Sequence, residues 1–221
     1  PPQVDNPRSM GKIVIYGTSI QQGGCASRTG MVPSAMIQRD FNLECVNLAT
    51  SGQARMDFYI AEAMASIEDA ICYVVDPVPN CTKDRCDTAT YDFIKILRTL
   101  RPEVPIVMVE GLMYPYTRHD SYHAEYLPQK NECFRRGFDQ HVAENPKGMY
   151  YMTHEGQTGP EMEGTVDGVH LTDYGFRAYA DLLEIVVKEA LDDTDVDYDV
   201  EPAYNVVRKK TFWERLKDLF Q

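Results

Sequence analysis

Two kinds of hydrophobic pattern alternate along the 221 residues. Short, nearly unbroken apolar runs give way to longer stretches in which apolar positions recur every three or four residues. The first kind reads as strands buried on both faces, the second as amphipathic helices. Lys12 to Thr18 is the first strand, around Ile13-Val14-Ile15-Tyr16, and a helix over Gly30 to Phe41 follows. Glu44 to Ala49 is a second strand. Met56 to Ile67 is a helix with Met56, Ile60, Met64 and Ile67 along one face. Ala70 to Asp76 is a third strand, and Thr90 to Leu100 a helix stopped by Pro102. Pro105 to Glu110 is a fourth strand, and Tyr126 to Glu144 a helix ending near Pro146. Met149 to Thr153 is a fifth, weaker strand. Thr172 to Leu191 is the longest helix, with Thr172 as its N-cap.

Strands alternating with helices predict an α/β fold: a three-layer α/β/α sandwich around a five-stranded parallel sheet. Right-handed crossovers and a flavodoxin-like strand order 2-1-3-4-5 are expected. Ligands then bind beyond the carboxyl ends of the strands, at the switch point between strands 1 and 3. Ser19 follows strand 1, Gly52 follows strand 2 and Asn80 follows strand 3, so three turns converge on that edge.

The pattern changes after Leu191. Residues 192 to 201 carry six acids in ten positions and read as a solvated linker. Their Asp-x-Asp-x-Asp spacing lacks the Gly and terminal Glu of a calcium loop. In the stretch Thr211 to Phe220, Phe212, Leu216, Leu219 and Phe220 share one helical face. Two readings stay open for it: packing back on the domain, or contact with a second copy of the chain. The expected organisation is therefore one α/β domain over 1–191, then an acidic linker and a short amphipathic helix over 192–221.

Composition removes several function classes. The net charge of −12 argues against nucleic acid as a partner. No apolar run is long enough to span a bilayer, and the absence of a signal-peptide pattern excludes no compartment, since such a signal is lost on processing. The chain opens Pro1-Pro2-Gln3 rather than on Met, as a processed product would. The six cysteines include no Cys-x-x-Cys pair. Cys45 and Cys72 sit in strand runs as buried thiols, while Cys81 and Cys86 either close a small disulfide loop or stay free. The five histidines lack metal-ligand spacing, so no metal site is expected.

Candidate chemistry lies in two distant segments, Gly17-Thr18-Ser19-Ile20 and Asp167-Gly168-Val169-His170. A serine hydroxyl becomes a nucleophile when a base takes its proton, and a carboxylate can hold that base in the right tautomer. Asp167, three residues before His170, can accept from the imidazole Nδ1–H and leave Nε2 to face Ser19. Backbone N–H groups of Ser19 and Gly52 and the side-chain amide of Asn80 are candidate oxyanion donors. Each feature alone also has an ordinary structural reading: a Gly-x-Ser turn, an Asx turn at Asp167, turns at Ser51-Gly52 and Pro79-Asn80.

Taken in chain order, GTSIQQGG, NLATSGQ, VVDPVPN and DGVHLTDYG resemble the four blocks of the SGNH (GDSL-type) hydrolases. The likeness covers residues 12 to about 190 and is nearest the bacterial branch with a Gly-Thr-Ser-Ile nucleophile turn, followed here by Ser27 to Met31. It implies the SGNH hydrolase fold and a cofactor-free Ser19-His170-Asp167 triad. It also implies an oxyanion hole of Ser19, Gly52 and Asn80, and, from secreted relatives, a periplasmic or extracellular location. Two positions depart from the pattern. Thr18 stands where the commonest turn has Asp, and Asn80 follows Pro77-Val78-Pro79 instead of closing Gly-x-Asn-Asp.

The expected activity is a serine esterase acting on small acyl esters, acetyl foremost, carried by a glycan. A non-catalytic glycan-binding module on the same scaffold and a lipid or thioester acyl hydrolase are the alternatives. Tyr114 and Tyr116, in the Tyr-rich segment 114 to 126, are candidate substrate contacts. Arg28 and Arg55 either bind an acidic substrate group or form structural salt bridges.

Overall fold

The computed structural model describes residues 8–194. Strand β1, Arg8–Gly17, lies inside the sheet because Ile13, Val14, Ile15 and Tyr16 are all buried and can face no water on either side. Strands β2, Leu43–Asn47, and β3, Ala70–Asp76, flank it. Strands β4, Ile106–Val109, and β5, Met149–Met152, complete a five-stranded sheet in the order β2-β1-β3-β4-β5, with every pairing parallel. Parallel neighbours need a crossover between them, and the helices supply it.

Alternation along β1 divides the core in two. Ile13 and Ile15 pack with helices α2, Pro33–Phe41, and α6, Asp173–Asp192, through Met36, Ile37, Phe176 and Leu183. Val14 and Tyr16 face the opposite layer: helices α3, Phe58–Ala65, α4, Lys83–Leu100, and α5, Ser121–Glu144. There Phe93 stacks on Tyr16 with ring centroids 5.7 Å apart. Burying such a ring is worth about 1.5–3 kcal/mol. The three-layer α/β/α sandwich and its strand order are as expected.

The boundaries differ where capping and local chemistry outweigh periodicity. Helix α1, Ser19–Gln22, is a single turn that the sequence does not announce. Helix α2 begins at Pro33 instead of Gly30, because proline suits a first helical position and a 3-10 turn, Thr29–Met31, precedes it. Helix α4 starts well before Thr90, since Thr82 caps it by accepting from the N–H of Arg85 at 3.1 Å. Helix α5 starts at Ser121, capped by Asp120. Thr172 caps α6 as expected, accepting from the N–H of Gly175 at 3.1 Å. All six cysteines are free thiols, so Cys81 and Cys86 are not bonded to each other. Among the described residues no helix is long and apolar enough to cross a membrane. Most of the acidic linker and the amphipathic stretch 211 to 220 lie outside the described residues.

Candidate active site

Strand β1 ends at Gly17, and the chain turns directly into α1. Thr18 is its N-cap, its hydroxyl accepting from the N–H of Ile20 at 3.3 Å. Threonine at this position therefore has a structural task of its own. Ser19 becomes the first residue of the helix, at the carboxyl edge of the sheet.

His170 reaches the same edge on a loop that turns tightly before α6. An isolated antiparallel bridge pairs Thr165 with Leu171, and the N–H of Val166 donates to the carbonyl of His170 at 2.8 Å. Gly168 takes φ +89°, which closes the turn between Asp167 and His170. Leu171 is fully buried and anchors the loop. Gly164 and Gly175 pack so closely that a Cβ on Gly175 would lie 2.0 Å from the Gly164 carbonyl oxygen. Two glycines thus let the loop lie directly on the first turn of α6.

The two segments meet. Ser19 Oγ lies 2.9 Å from His170 Nε2, and His170 Nδ1 lies 2.7 Å from Asp167 Oδ2. Asp167 Oδ1 accepts from the backbone N–H groups of His170 at 2.7 Å and Val169 at 2.9 Å. The imidazole hydrogen bond first, then these two N–H groups, hold the Asp167 carboxyl well below the usual carboxylate range. An ionised carboxylate only accepts, so Nδ1 carries the ring proton. Nε2 is left as the acceptor facing the Ser19 hydroxyl.

The turn after β2 is tied to this edge. The N–H of Thr50 donates to the Gly17 carbonyl at 2.9 Å, and the N–H of Ser51 to Gln22 Oε1 at 3.0 Å. Gly52 has φ +70°, and open space surrounds its missing Cβ. Asn80 ends a 3-10 turn after β3, Val78–Asn80. Its Oδ1 accepts from the N–H of Ala54 at 3.3 Å. With the oxygen pinned there, the NH2 end of the amide turns away from Ala54. The same contact joins the Asn80 turn to the Gly52 turn.

The candidate substrate residues separate. Tyr114 is only 7% exposed and stacks beneath Tyr116 at 5.4 Å, and burial raises its phenol pKa. Tyr116 lies against the His170 loop, its Cδ1 3.1 Å from where a Cβ on Gly168 would stand. It also meets His123 edge-on at 5.4 Å. Of the pair, Tyr116 is the one that adjoins the relay. Arg55 donates to the Gly52 carbonyl at 3.3 Å. Arg28 is exposed and lies near Asp173, whose carboxylate also accepts from the N–H of Ser27 at 3.0 Å.

Two buried groups escaped the sequence reading. Asp76, the last residue of β3, is fully buried beneath α1. Its Oδ2 accepts from the Tyr179 hydroxyl at 2.7 Å and from Gln21 Nε2 at 3.0 Å, and burial pushes its carboxyl up to about 7. Glu110 follows β4, and its Oε2 accepts from the N–H of His154 at 2.9 Å and lies 2.6 Å from its Nδ1. Burial tends to raise the Glu110 carboxyl, but the bonds from His154 outweigh it and the net direction is down. The same bond raises the His154 imidazole. One signal marks both: an acid closing an apolar strand run, as in Val74-Val75-Asp76 and Met108-Val109-Glu110.

Comparison with solved structures supports the fold. A protein described as a GDSL-like lipase from Bacteroides ovatus ATCC 8483 matches with TM-score 0.80 and 31% identity, over 85% of this chain and 55% of that one. The salicylyl-acyltransferase SsfX3 from a tetracycline biosynthetic pathway matches with TM-score 0.69 and 18% identity, over 86% and 57%. A family two carbohydrate esterase from Clostridium thermocellum, in complex with cellohexaose, matches with TM-score 0.63 and 16% identity, over 83% and 65%. The chain thus spans less than two thirds of each of these proteins. No curated protein sequence matches it. The family pattern itself extends over residues 10–188, from β1 through the His170 loop and nearly all of α6. With that coverage, the chain belongs to the GDSL-like lipase/acylhydrolase family.

Proposed function

We propose that the chain is a serine esterase that removes small acyl groups, acetyl foremost, from a carbohydrate. The observation that carries this is the continuous relay from Asp167 through His170 to Ser19, at 2.7 and 2.9 Å. In the first step His170 Nε2 takes the Ser19 proton as Oγ attacks the ester carbonyl. Negative charge then develops on the carbonyl oxygen, where the N–H groups of Ser19 and Gly52 and the NH2 of Asn80 would receive it. The imidazolium, stabilised by Asp167, returns its proton to the leaving alcohol. In the second step His170 activates water, which releases the acid and frees Ser19. Every proton moves between groups of this chain, substrate and water.

A preformed hydrogen-bonded relay favours catalysis over a purely glycan-binding role. The carbohydrate esterase among the similar structures and the aromatic face of Tyr116 beside the His170 loop both support a sugar ester. The hydrolase unit of this reading is 1–191, with 192–221 as an appendage, and a periplasmic or extracellular location belongs to the same proposal. Ser19→Ala should abolish hydrolysis of p-nitrophenyl acetate and labelling by a fluorophosphonate probe. Undiminished turnover in that variant would overturn the assignment. Release of acetate from acetylated polysaccharides by the unaltered chain would test the sugar.

A further inference from the structure

The turn that ends α1 folds back over the relay. Gly23 caps the helix at φ +93°, and the N–H of Gly24 donates to the Ser19 carbonyl at 2.7 Å. A Cβ on Gly24 would stand 3.2 Å from both His170 Cδ2 and the Ser19 carbonyl oxygen, so the turn lies tight against the relay. The next residue, Cys25, is held at φ +72°, a conformation costing a non-glycine residue about 1–2 kcal/mol. The strain carries an exposed thiol to the other two groups. Cys25 Sγ, a His170 ring nitrogen and an Asp167 carboxylate oxygen all lie within 4.8 Å of one another.

We propose that Cys25, His170 and Asp167 form a binding site for a thiophilic divalent cation such as Zn2+, which switches the relay off. Sulfur, imidazole nitrogen and carboxylate oxygen are the ligand types that zinc takes, at about 2.0–2.3 Å, with water filling a fourth position. Ligand atoms around a tetrahedral ion stand roughly 3.5 Å apart. His170 Nδ1 and Asp167 Oδ2, now 2.7 Å apart, part slightly to admit the ion, and Cys25 Sγ, within 4.8 Å of both groups, has to draw in by no more than about 1.3 Å. Cys25 and Asp167 are exposed and His170 is half-buried, which leaves the ion a path from solvent. As the sulfur–metal bond forms, the thiol proton leaves to water. The metal takes Nδ1, the nitrogen beside Asp167, which forces the ring proton onto Nε2 and leaves the Ser19 hydroxyl without a base. Sequence spacing gives no hint of this site, because the fold alone brings Cys25 to the His170 loop.

The test is titration of the full chain with Cd2+, read by the ultraviolet thiolate-to-metal charge-transfer band. One equivalent should develop the band in the unaltered protein. Cys25→Ser and Cys25→Gly should both lack it, the second also suiting the left-handed backbone. Zn2+ should inhibit p-nitrophenyl acetate hydrolysis, and either Cys25 variant should need at least roughly tenfold more for the same inhibition, with its metal-free activity unchanged. An equal band in the Cys25 variants, or equal Zn2+ sensitivity, overturns the proposal. The band requires no turnover, so a failure of the esterase reading leaves this result interpretable.

Discussion

Replacing Asp76 by asparagine should stabilise the protein above neutral pH. Asp76 is fully buried, and its carboxyl is raised from 3.8 to about 7 chiefly by burial. That is roughly a thousandfold in proton affinity, about 4 kcal/mol at 1.36 kcal/mol per pH unit. Between about pH 4 and 7 the folded state keeps a proton that the unfolded state has released. Stability from this group is therefore complete below 3.8, falls as pH rises toward 7 and is level beyond it. Asparagine is nearly isosteric and cannot ionise. It can still accept from Tyr179 and Gln21, and it brings NH2 donors to a pocket where Asp76 Oδ1 and Gln21 Oε1 both lack partners. Urea unfolding of the two proteins from pH 4 to 8 isolates the effect, because all other titrations cancel in the difference. The Asp76→Asn advantage should grow by about 4 kcal/mol up to pH 7 and then hold constant. A difference that stays flat across that range would refute the reasoning.

Other expectations concern the site and its supports. Asn80→Ala removes one candidate oxyanion donor and should lower kcat about 10²–10³-fold, with little change in KM for p-nitrophenyl acetate. Gly175→Ala sets a Cβ against the Gly164 carbonyl and must displace the His170 loop. A shift of about 1 Å there should cost about 10²-fold in kcat, while Thr172→Ala, which removes only the cap, should cost stability of about 1 kcal/mol measured by thermal unfolding. The Glu110–His154 pair should contribute most between the ordinary values of its two groups. Its share from His154, whose value is raised, is present below 6.5 and lost as pH rises through the folded value. Its share from Glu110, whose value is lowered, is present above 4.5 and lost as pH falls through the folded value. His154→Gln should therefore be most destabilising between about pH 4.5 and 6.5, read from Tm across pH.

Strand β3 matches its sequence boundaries because an apolar run buried on both faces has little freedom to end elsewhere. The first turns of α4 and α5 were hidden. Lys83, Asp84 and Arg85 offer no apolar periodicity, and only the cap at Thr82 announces the start. That Ser19, His170 and Asp167 meet was legible as an expectation, because each falls in one of the ordered blocks and Asp167 stands three residues before His170. Tyr114 and Tyr116 were not separable in sequence, since which ring is buried depends on stacking that only the fold decides. Cys25 and Asp76 were missed for the same reason: their partners are far away in the chain.

The loop that presents His170 has a consequence for how the site could fail. Asp167 binds the ring and also the backbone of Val169 and His170, so base and carboxylate form one locally closed unit. Ser19 belongs to a different unit, built on β1 and α1. The relay therefore has a single seam, the 2.9 Å contact between Ser19 and His170. A displacement of the His170 loop relative to β1 and α1 opens the relay at that seam. It leaves the His-Asp half assembled and ready to re-engage.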